Sequence, residues 1–353
     1  MINSIRFSLV AILISMLFFN FSCSKKEDSK ADDEQPILEA QKDIVAAQEY
    51  LGICYGPYHY DGQAPGTPIS KAQLEEDLSL IARNFTFLRT YTVADGMDQI
   101  VGVAASKGLE VALGVHCYPN NEAQTKADIN KAIQQIKAFP NTVLGLIVGN
   151  ETNLRGPNFI EPATVANYMK YAQEKLSAEG IELPITSCIT GVGADSQNNY
   201  PNEAYCGPIL QQCKDLNTPD NRVILMTIYP YYGNGQPDNI HGNMEWSYQH
   251  GMANAENNFG LGVIIGEIGW PTGVGNNGTA TGRENVQFAE TNFKATLEWV
   301  NGNNFKKQAY NSFWFAMFDE PWKTNEPNGV GPSWGLYEKN GKQTPKFPIP
   351  ALN

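Results

Sequence analysis

Short apolar runs alternate with amphipathic segments of helical periodicity from residue 51 to residue 318. The apolar runs predict eight strands, at residues 51–55, 85–91, 109–118, 142–151, 183–189, 222–231, 261–267 and 310–318. The amphipathic segments predict helices at residues 69–83, 98–107, 126–138, 162–179, 205–216, 245–257 and 284–300. The strand runs are continuously apolar, which is typical of strands buried on both faces of a parallel sheet covered by helices.

Eight units of strand and helix favour a closed (β/α)8 barrel, the TIM barrel, over an open doubly wound sheet. The glycine-rich motifs GxGxxG and GxxxxGK[ST] do not follow the first strand, which removes the main reason to prefer a nucleotide-binding sheet. We therefore expect a single α/β domain over residues 49–353.

Charge, composition and residue spacing limit the partners that the chain is expected to bind. The chain has 25 basic and 37 acidic residues and a net charge of −12, which argues against nucleic acid as a partner. Its 16 phenylalanines, 16 tyrosines and 6 tryptophans are enough to fill a large core and to line a groove. The four histidines lack metal-ligand spacing and no CxxC pair is present, so we expect neither a metal nor another cofactor. We also expect a monomer.

The amino terminus has the pattern of a secretory signal over residues 1–22, with an early cation, an apolar stretch and small residues before Cys23. Residues 20–23 resemble a bacterial lipobox, which implies that Cys23 is lipidated and begins the mature chain. Asn20 departs from the usual aliphatic residue, and ordinary cleavage is the alternative. Residues 23–48 predict an acidic, flexible tether. We expect a lipoprotein of the bacterial outer membrane or cell surface, or one that faces the periplasm, which contacts the membrane only through its lipid.

The five other cysteines fall into two groups. Cys54, Cys117 and Cys188 lie in apolar, strand-like segments and are interpreted as small core residues. Cys206 and Cys213 are seven residues apart and could close a small loop through a disulfide, with two reduced thiols as the alternative.

Two predicted strands end in a carboxylate. Active sites of (β/α)8 barrels lie at the carboxyl ends of the strands, so polar residues that end apolar strands are candidates. Residues 143–149 lead into Asn150 and Glu151 on the fourth strand, and residues 261–266 lead into Glu267 on the seventh. Strands four and seven face each other across a closed ring, so we expect the two carboxylates to converge. Alternatively, each glutamate caps its strand or pairs with a basic neighbour.

A converging pair of carboxylates suits glycoside hydrolysis. The two groups repel when both are charged, so one has a raised pKa and stays protonated while the other stays ionised. A separation of about 5–5.5 Å between the carboxyls gives retention of configuration through a covalent intermediate, and about 6.5–9.5 Å gives inversion.

Several segments at predicted strand ends together resemble glycoside hydrolase family 17, the β-1,3-glucanases and β-1,3-glucanosyltransferases. They are residues 148–151 (VGNE), 265–271 (IGEIGWP), 315–323 (FAMFDEPWK), 89–91 (RTY), 229–231 (YPY) and 334–337 (WGLY). The likeness spans about residues 50–345. It implies a (β/α)8 barrel and a retaining mechanism.

The resemblance also implies roles for individual residues. Glu151 would be the general acid/base and Glu267 the nucleophile, while Asn150 would bind the sugar 2-hydroxyl and Tyr91 would line the groove. The remaining substrate-binding candidates are Tyr229, Tyr231, Glu320, Lys323, Trp270 and Trp322.

Alternatives accompany these further candidates. Either tyrosine of the 229–231 segment would orient the nucleophile. Lys323 would keep neighbouring carboxylates ionised, including Glu320 and Glu326, or would form a structural salt bridge. Trp270, Trp322 and the nearby Trp334 would stack on sugar rings or pack in the core.

The sequence therefore predicts a retaining endo-β-1,3-glucan hydrolase that acts on laminarin-like polysaccharide, a neutral substrate that agrees with the acidic surface. A β-1,3-glucanosyltransferase with the same residues is the first alternative, because the segment around Ala316 and Phe318 mixes plant and fungal features of the family. A non-catalytic glycan-binding lipoprotein would not need two repelling carboxylates. A barrel lyase or aldolase would need a Schiff-base lysine or metal ligands at strand ends, and no lysine occupies such an end in the predicted strands. Loops 191–205 and 232–243 would decide the length of glucan accepted.

Overall fold

A computed structural model describes residues 49–154, 156–194, 205–276 and 278–350 of the protein. The predicted signal at residues 1–22, Cys23 and the predicted tether at residues 23–48 lie outside these residues. Within the described part of the chain, no helix has both the length and the apolar character that crossing a bilayer requires.

Eight parallel strands close into a barrel in which each strand pairs with the next along the chain and the eighth pairs with the first. The strands are β1 (Leu51–Cys54), β2 (Phe87–Arg89), β3 (Glu110–Val115), β4 (Val143–Asn150), β5 (Ile185–Thr190), β6 (Val223–Thr227), β7 (Gly262–Ile268) and β8 (Ser312–Trp314). All eight predicted strands are present, and the predicted (β/α)8 barrel is confirmed.

Helices surround the barrel and follow the strands in the predicted order. In the described residues the α-helices are α1 (Lys71–Ile81), α2 (Ile100–Ser106), α3 (Glu122–Ala138), α4 (Pro162–Ala178), α5 (Gly207–Leu216), α6 (Ile240–Ser247) and α7 (Val286–Val300). Four of them begin after a residue whose side chain accepts a hydrogen bond from the backbone amide three positions later: Ser70, Asn121, Asn239 and Asn285. Such caps satisfy amides that have no partner within the helix.

Several predicted elements have different bounds in the structure, and two of them have an identifiable cause. The predicted strand at residues 222–231 ends at Thr227, since Pro230 has no amide hydrogen with which to extend a strand ladder. The helix predicted at residues 245–257 begins earlier, at Ile240, because Asn239 caps it there, and it continues into two π-helical turns, Tyr248–Met252 and Ala255–Phe259. Apolar periodicity locates such elements but does not detect the residue that ends or caps them.

The disulfide considered between Cys206 and Cys213 is not formed. Cys206 directly precedes α5 and Cys213 lies within it, so a rise of about 1.5 Å per residue separates their backbones by about 10 Å. A disulfide needs Cα atoms within about 7 Å of each other. Cys54, Cys117 and Cys188 are buried thiols, as predicted.

Candidate active site

A cleft of about 1820 Å³ opens at the carboxyl ends of the strands. Most of the predicted site residues line it: Tyr91, Asn150, Glu151, Tyr229, Glu267, Glu320, Trp322 and Lys323. Barrel closure therefore brings the ends of β4 and β7 to one cavity, together with residues that follow β2, β6 and β8.

Glu267 lies near the end of β7 and is almost fully buried, with 3% of its surface exposed. One carboxylate oxygen accepts a hydrogen bond from Arg89 Nη1 at 2.8 Å, and the other accepts one from the Tyr229 hydroxyl at 2.5 Å. Burial and the Glu267 charge raise the pKa of the Tyr229 phenol well above its usual value, so the phenol remains a donor. Donors on both oxygens favour an ionised carboxylate.

Glu151 follows β4 and has a different environment. Its φ of 48° lies in the left-handed region, which is unfavourable for a residue with a Cβ and is common among functional residues. Its backbone amide donates to the Cys188 carbonyl on β5 at 2.8 Å, which anchors this conformation. Its carboxyl oxygen Oε1 accepts a 2.5 Å hydrogen bond from the Thr227 hydroxyl at the end of β6.

Burial raises the pKa of the Glu151 carboxyl to about 7, and the negative charge of Glu267 adds to the increase. The Thr227 hydrogen bond and the Arg89 charge act in the opposite direction, with smaller effects. The two glutamates are therefore close enough to interact electrostatically, and Glu151 holds its proton to near neutral pH. The pair has the protonated acid and the ionised base that opposite roles require.

Arg89, which had no predicted role, connects the two strand ends. It is fully buried on β2, and its guanidinium donates to Glu267, to the Gly266 carbonyl at 2.7 Å and to Asn150 Oδ1 at 2.5 Å. It also lies over the Tyr91 ring, 4.8 Å from the centroid. Its position within the otherwise apolar run of β2 was the signal available in the sequence, since arginine is rarely buried without a partner.

Comparison with known proteins agrees with this geometry. The profile of the BtgE/BtgC glycoside hydrolase domain matches residues 52–335, most of the chain. The chain belongs to this glycoside hydrolase family.

Two curated relatives of this glycoside hydrolase carry the names of glucan-processing enzymes. A glucan 1,3-beta-glucosidase of Arthroderma benhamiae is 28% identical over 320 residues, which cover 86% of this chain and 91% of the relative. A probable glucan endo-1,3-beta-glucosidase, btgC, of Aspergillus fumigatus is 26% identical over 311 residues, which cover 80% of this chain but only 40% of the relative.

Two solved structures share the fold at 20% identity. A glycoside hydrolase family 17 β-1,3-glucanosyltransferase from Rhizomucor miehei has a TM-score of 0.62 and is covered completely by 87% of this chain. An endo-laminarinase from a Formosa strain has a TM-score of 0.63, with 84% of this chain and 85% of that chain covered. At this level of identity the likeness demonstrates the barrel fold.

The glycoside hydrolase also contains the predicted pair Glu320 and Lys323 at the cleft wall, joined by a 2.6 Å salt bridge. Burial alone would lower the pKa of Lys323, but the charges of Glu320, Glu326 and Glu267 outweigh it and raise the pKa. Lys323 also lies 4.4 Å from the centroid of the Phe315 ring. The lysine thus places a positive charge at the wall of the cleft beside several carboxylates, and the salt bridge considered in the sequence is formed there.

Two predicted substrate contacts do not line the cleft. Tyr231 is buried and its hydroxyl donates to Glu284, so Tyr229 is the tyrosine that orients Glu267. Residues two apart share one face of a strand, but β6 ends at Thr227, so this alternation does not apply to the two tyrosines. Trp270 is fully buried, with its indole Nε1 donating to the Arg283 carbonyl, and belongs to the core.

The other two tryptophans line the cleft. Trp322 is half-buried and contacts Tyr58 edge to face at 6.2 Å, while Trp334 is nearly buried and donates from its indole to Glu326 at 3.0 Å. Within the described residues, no group of three or more histidine, cysteine, aspartate or glutamate side chains could hold a metal ion.

Proposed function

We propose that this glycoside hydrolase is a retaining endo-β-1,3-glucan hydrolase that acts on laminarin-like polysaccharide. The observation that carries the proposal is the difference between two carboxyl groups in one cleft: Glu151 with a pKa raised to about 7, and Glu267 with a donor on each oxygen. The β-1,3 linkage is supported by the names of the relatives, a glucan 1,3-beta-glucosidase and a glucan endo-1,3-beta-glucosidase.

In this mechanism the Glu267 carboxylate attacks the anomeric carbon while Glu151 donates its proton to the glycosidic oxygen, and the bond to the leaving sugar breaks. The product is a glycosyl ester of Glu267. Glu151 is then ionised and takes a proton from water, which attacks the same carbon and releases Glu267. Arg89 and Tyr229 hold the nucleophile in place, and Asn150, held by Arg89, is positioned for the sugar 2-hydroxyl.

The test is a panel of β-1,3-, β-1,4- and mixed-linkage glucans, with chromatography of the products and NMR of the first anomer released. We expect internal cleavage of β-1,3-glucan with the β-anomer formed first. Release of the α-anomer would contradict the assignment of Glu267 as nucleophile. Activity confined to β-1,4-glucan would contradict the proposed β-1,3-glucan substrate. Products longer than the starting chain would assign glycosyl transfer in place of hydrolysis.

We also propose that the enzyme is a bacterial lipoprotein anchored through Cys23 at the outer membrane or cell surface. The support is the signal-like segment at residues 1–22 and the lipobox-like residues 20–23. Expression in a Gram-negative host with labelled palmitate should label the unmodified chain, and Cys23→Ala should remove the label and release the protein from the membrane fraction. Equal labelling of both chains would refute the anchor.

A further inference from the structure

One face of α6 lines the cleft. Asn239, Asn243 and Trp246 recur at spacings of three and four residues and all border the cavity. On the other face of the same helix, Ile240 and Met244 are buried in the core. The helix therefore presents two amide side chains and an indole to the space that the proposed substrate would occupy.

Trp246 is unlike the tryptophans of the core because 44% of its surface is exposed. Its ring stacks on the His250 imidazole with 4.2 Å between centroids and 15° between planes, and His250 Nδ1 lies 2.8 Å from the Trp246 carbonyl. The imidazole supports the indole in a fixed orientation. Asn239 Oδ1 and Asn243 Nδ2 are already bonded to the Gly242 amide and the Gln236 carbonyl, so the indole is the main binding group on this face. A supported, exposed aromatic ring beside a cleft can cover the apolar C–H face of a pyranose ring.

The position of Trp246 along the chain indicates which part of a glucan it would meet. The segment from Thr227 to Trp246 follows β6, and Thr227 holds Glu151, the group that would protonate the leaving oxygen. The same segment also contains Tyr229, which holds Glu267, so the two ends of the segment have to be distinguished. Trp246 lies at the far end and leads into the turn Tyr248–Met252, in which Gly251 packs against the Gly191 carbonyl that follows β5. Because β5 pairs with β4, which leads into Glu151, the end of the segment that carries Trp246 lies on the Glu151 side and is assigned to the leaving-group part of the substrate.

We propose that Trp246 is a platform for a sugar unit in the leaving-group part of the β-1,3-glucan, beyond the units next to the cleaved bond. The proposal rests on the proposed function and extends it, since it makes the enzyme prefer long chains. Removal of the ring should weaken binding only of substrates long enough to reach it.

The experiment compares Trp246→Ala and Trp246→Phe with the unmodified protein on two substrate series. The first series is β-1,3-glucan oligosaccharides of increasing length and laminarin. The second is aryl β-1,3-glucosides, in which the aryl group is the leaving group and added sugars extend only in the other direction. Phe139→Ala is the control, because Phe139 is exposed to a similar extent, 39%, and lies outside the cleft lining.

We expect Trp246→Ala to raise KM for laminarin and long oligosaccharides about tenfold, with kcat nearly unchanged and short oligosaccharides unaffected. Trp246→Phe should recover most of the loss, and Phe139→Ala should behave like the unmodified protein. Aryl glucosides of every length should show no effect. An equal effect on short and long oligosaccharides, or no effect on any, would refute the platform, and a loss that grows along the aryl series would refute the leaving-group side. If the unmodified protein cleaves no β-1,3-glucan, the proposed function itself fails.

Discussion

The raised pKa of Glu151 predicts that Glu151→Gln makes the protein more stable at alkaline pH while removing acid catalysis. The pKa of the group is about 7 in the folded protein, against an ordinary value of 4.5. A carboxyl whose pKa is raised by folding stabilises the protein fully below its ordinary pKa, and that contribution is lost as pH rises to the folded pKa. The unmodified protein should therefore lose this contribution to its stability between pH 4.5 and about 7.

The size of the effect follows from the same two values. A change in pKa from 4.5 to about 7 corresponds to about 3 kcal/mol at about 1.4 kcal/mol per pH unit. Glu151 is only half-buried, so screening by water in the cleft reduces this value, and we expect a gain of about 2 kcal/mol for Glu151→Gln above pH 7.5. Below pH 4 the Glu151 side chain of the unmodified protein is also neutral, so this gain in the free energy of unfolding should vanish.

Urea unfolding of both proteins across this pH range measures the effect. The control is Glu338→Gln, because Glu338 is exposed and its pKa is lowered by hydrogen bonding to Lys342. That variant should show no gain of stability at alkaline pH. A difference between Glu151→Gln and the unmodified protein that stays constant with pH would show that the pKa of Glu151 is not raised, and the assignment of Glu151 as the proton donor would lose its support.

Three further predictions concern activity. Glu267→Gln should lower kcat by several orders of magnitude with the fold retained, because the nucleophile is lost. Azide should partly restore turnover by Glu151→Ala on a substrate with a good leaving group. Full activity of either variant would contradict the role of that glutamate as nucleophile or as acid/base. Thr227→Val removes a hydrogen bond that lowers the pKa of Glu151, so the alkaline limb of kcat/KM should move up by about one pH unit, and a downward shift would contradict this. Tyr229→Phe should lower kcat by about tenfold or more, whereas Tyr231→Phe should leave kcat and KM unchanged and lower only the melting temperature; equal kinetic effects would contradict the distinction.

The fold could be predicted because its strands are continuously apolar and its helices are amphipathic. The order of strands and helices is therefore visible in the sequence without knowledge of which residues are in contact. The ends of the strands and helices were harder to predict. The strand β6 was predicted to run four residues past its true end, because residues 228–231 remain apolar after strand pairing has ended. The helix α6 was predicted to begin late, because its start depends on the Asn239 cap. These limits follow from single hydrogen bonds rather than from a pattern along the chain.

The two glutamates of the candidate site could be placed for a similar reason: each ends a long apolar run, where a charged side chain stands out against its neighbours. Their partners could not be predicted in the same way. Arg89 is separated from Glu267 by 178 residues and Thr227 from Glu151 by 76 residues, and only barrel closure makes them neighbours. Tyr231 and Trp270 were given a substrate role because they lie in matching motifs, whereas their side chains point to Glu284 and to the Arg283 carbonyl.

The different roles proposed for the two glutamates therefore depend on neighbours supplied by other strands. Both side chains begin with the same carboxyl chemistry, and their mutual repulsion alone would not determine which one keeps the proton. Arg89 on β2 reaches across the barrel and forms its ion pair with Glu267, so the negative charge is stabilised on β7. Among the described residues, Glu151 accepts a hydrogen bond from the neutral Thr227 hydroxyl, and burial together with the charge of Glu267 outweighs this bond and the Arg89 charge, so the proton remains on Glu151. The direction of proton transfer in the proposed mechanism thus depends on two features, the burial of Glu151 and the placement of the Arg89 guanidinium beside Glu267.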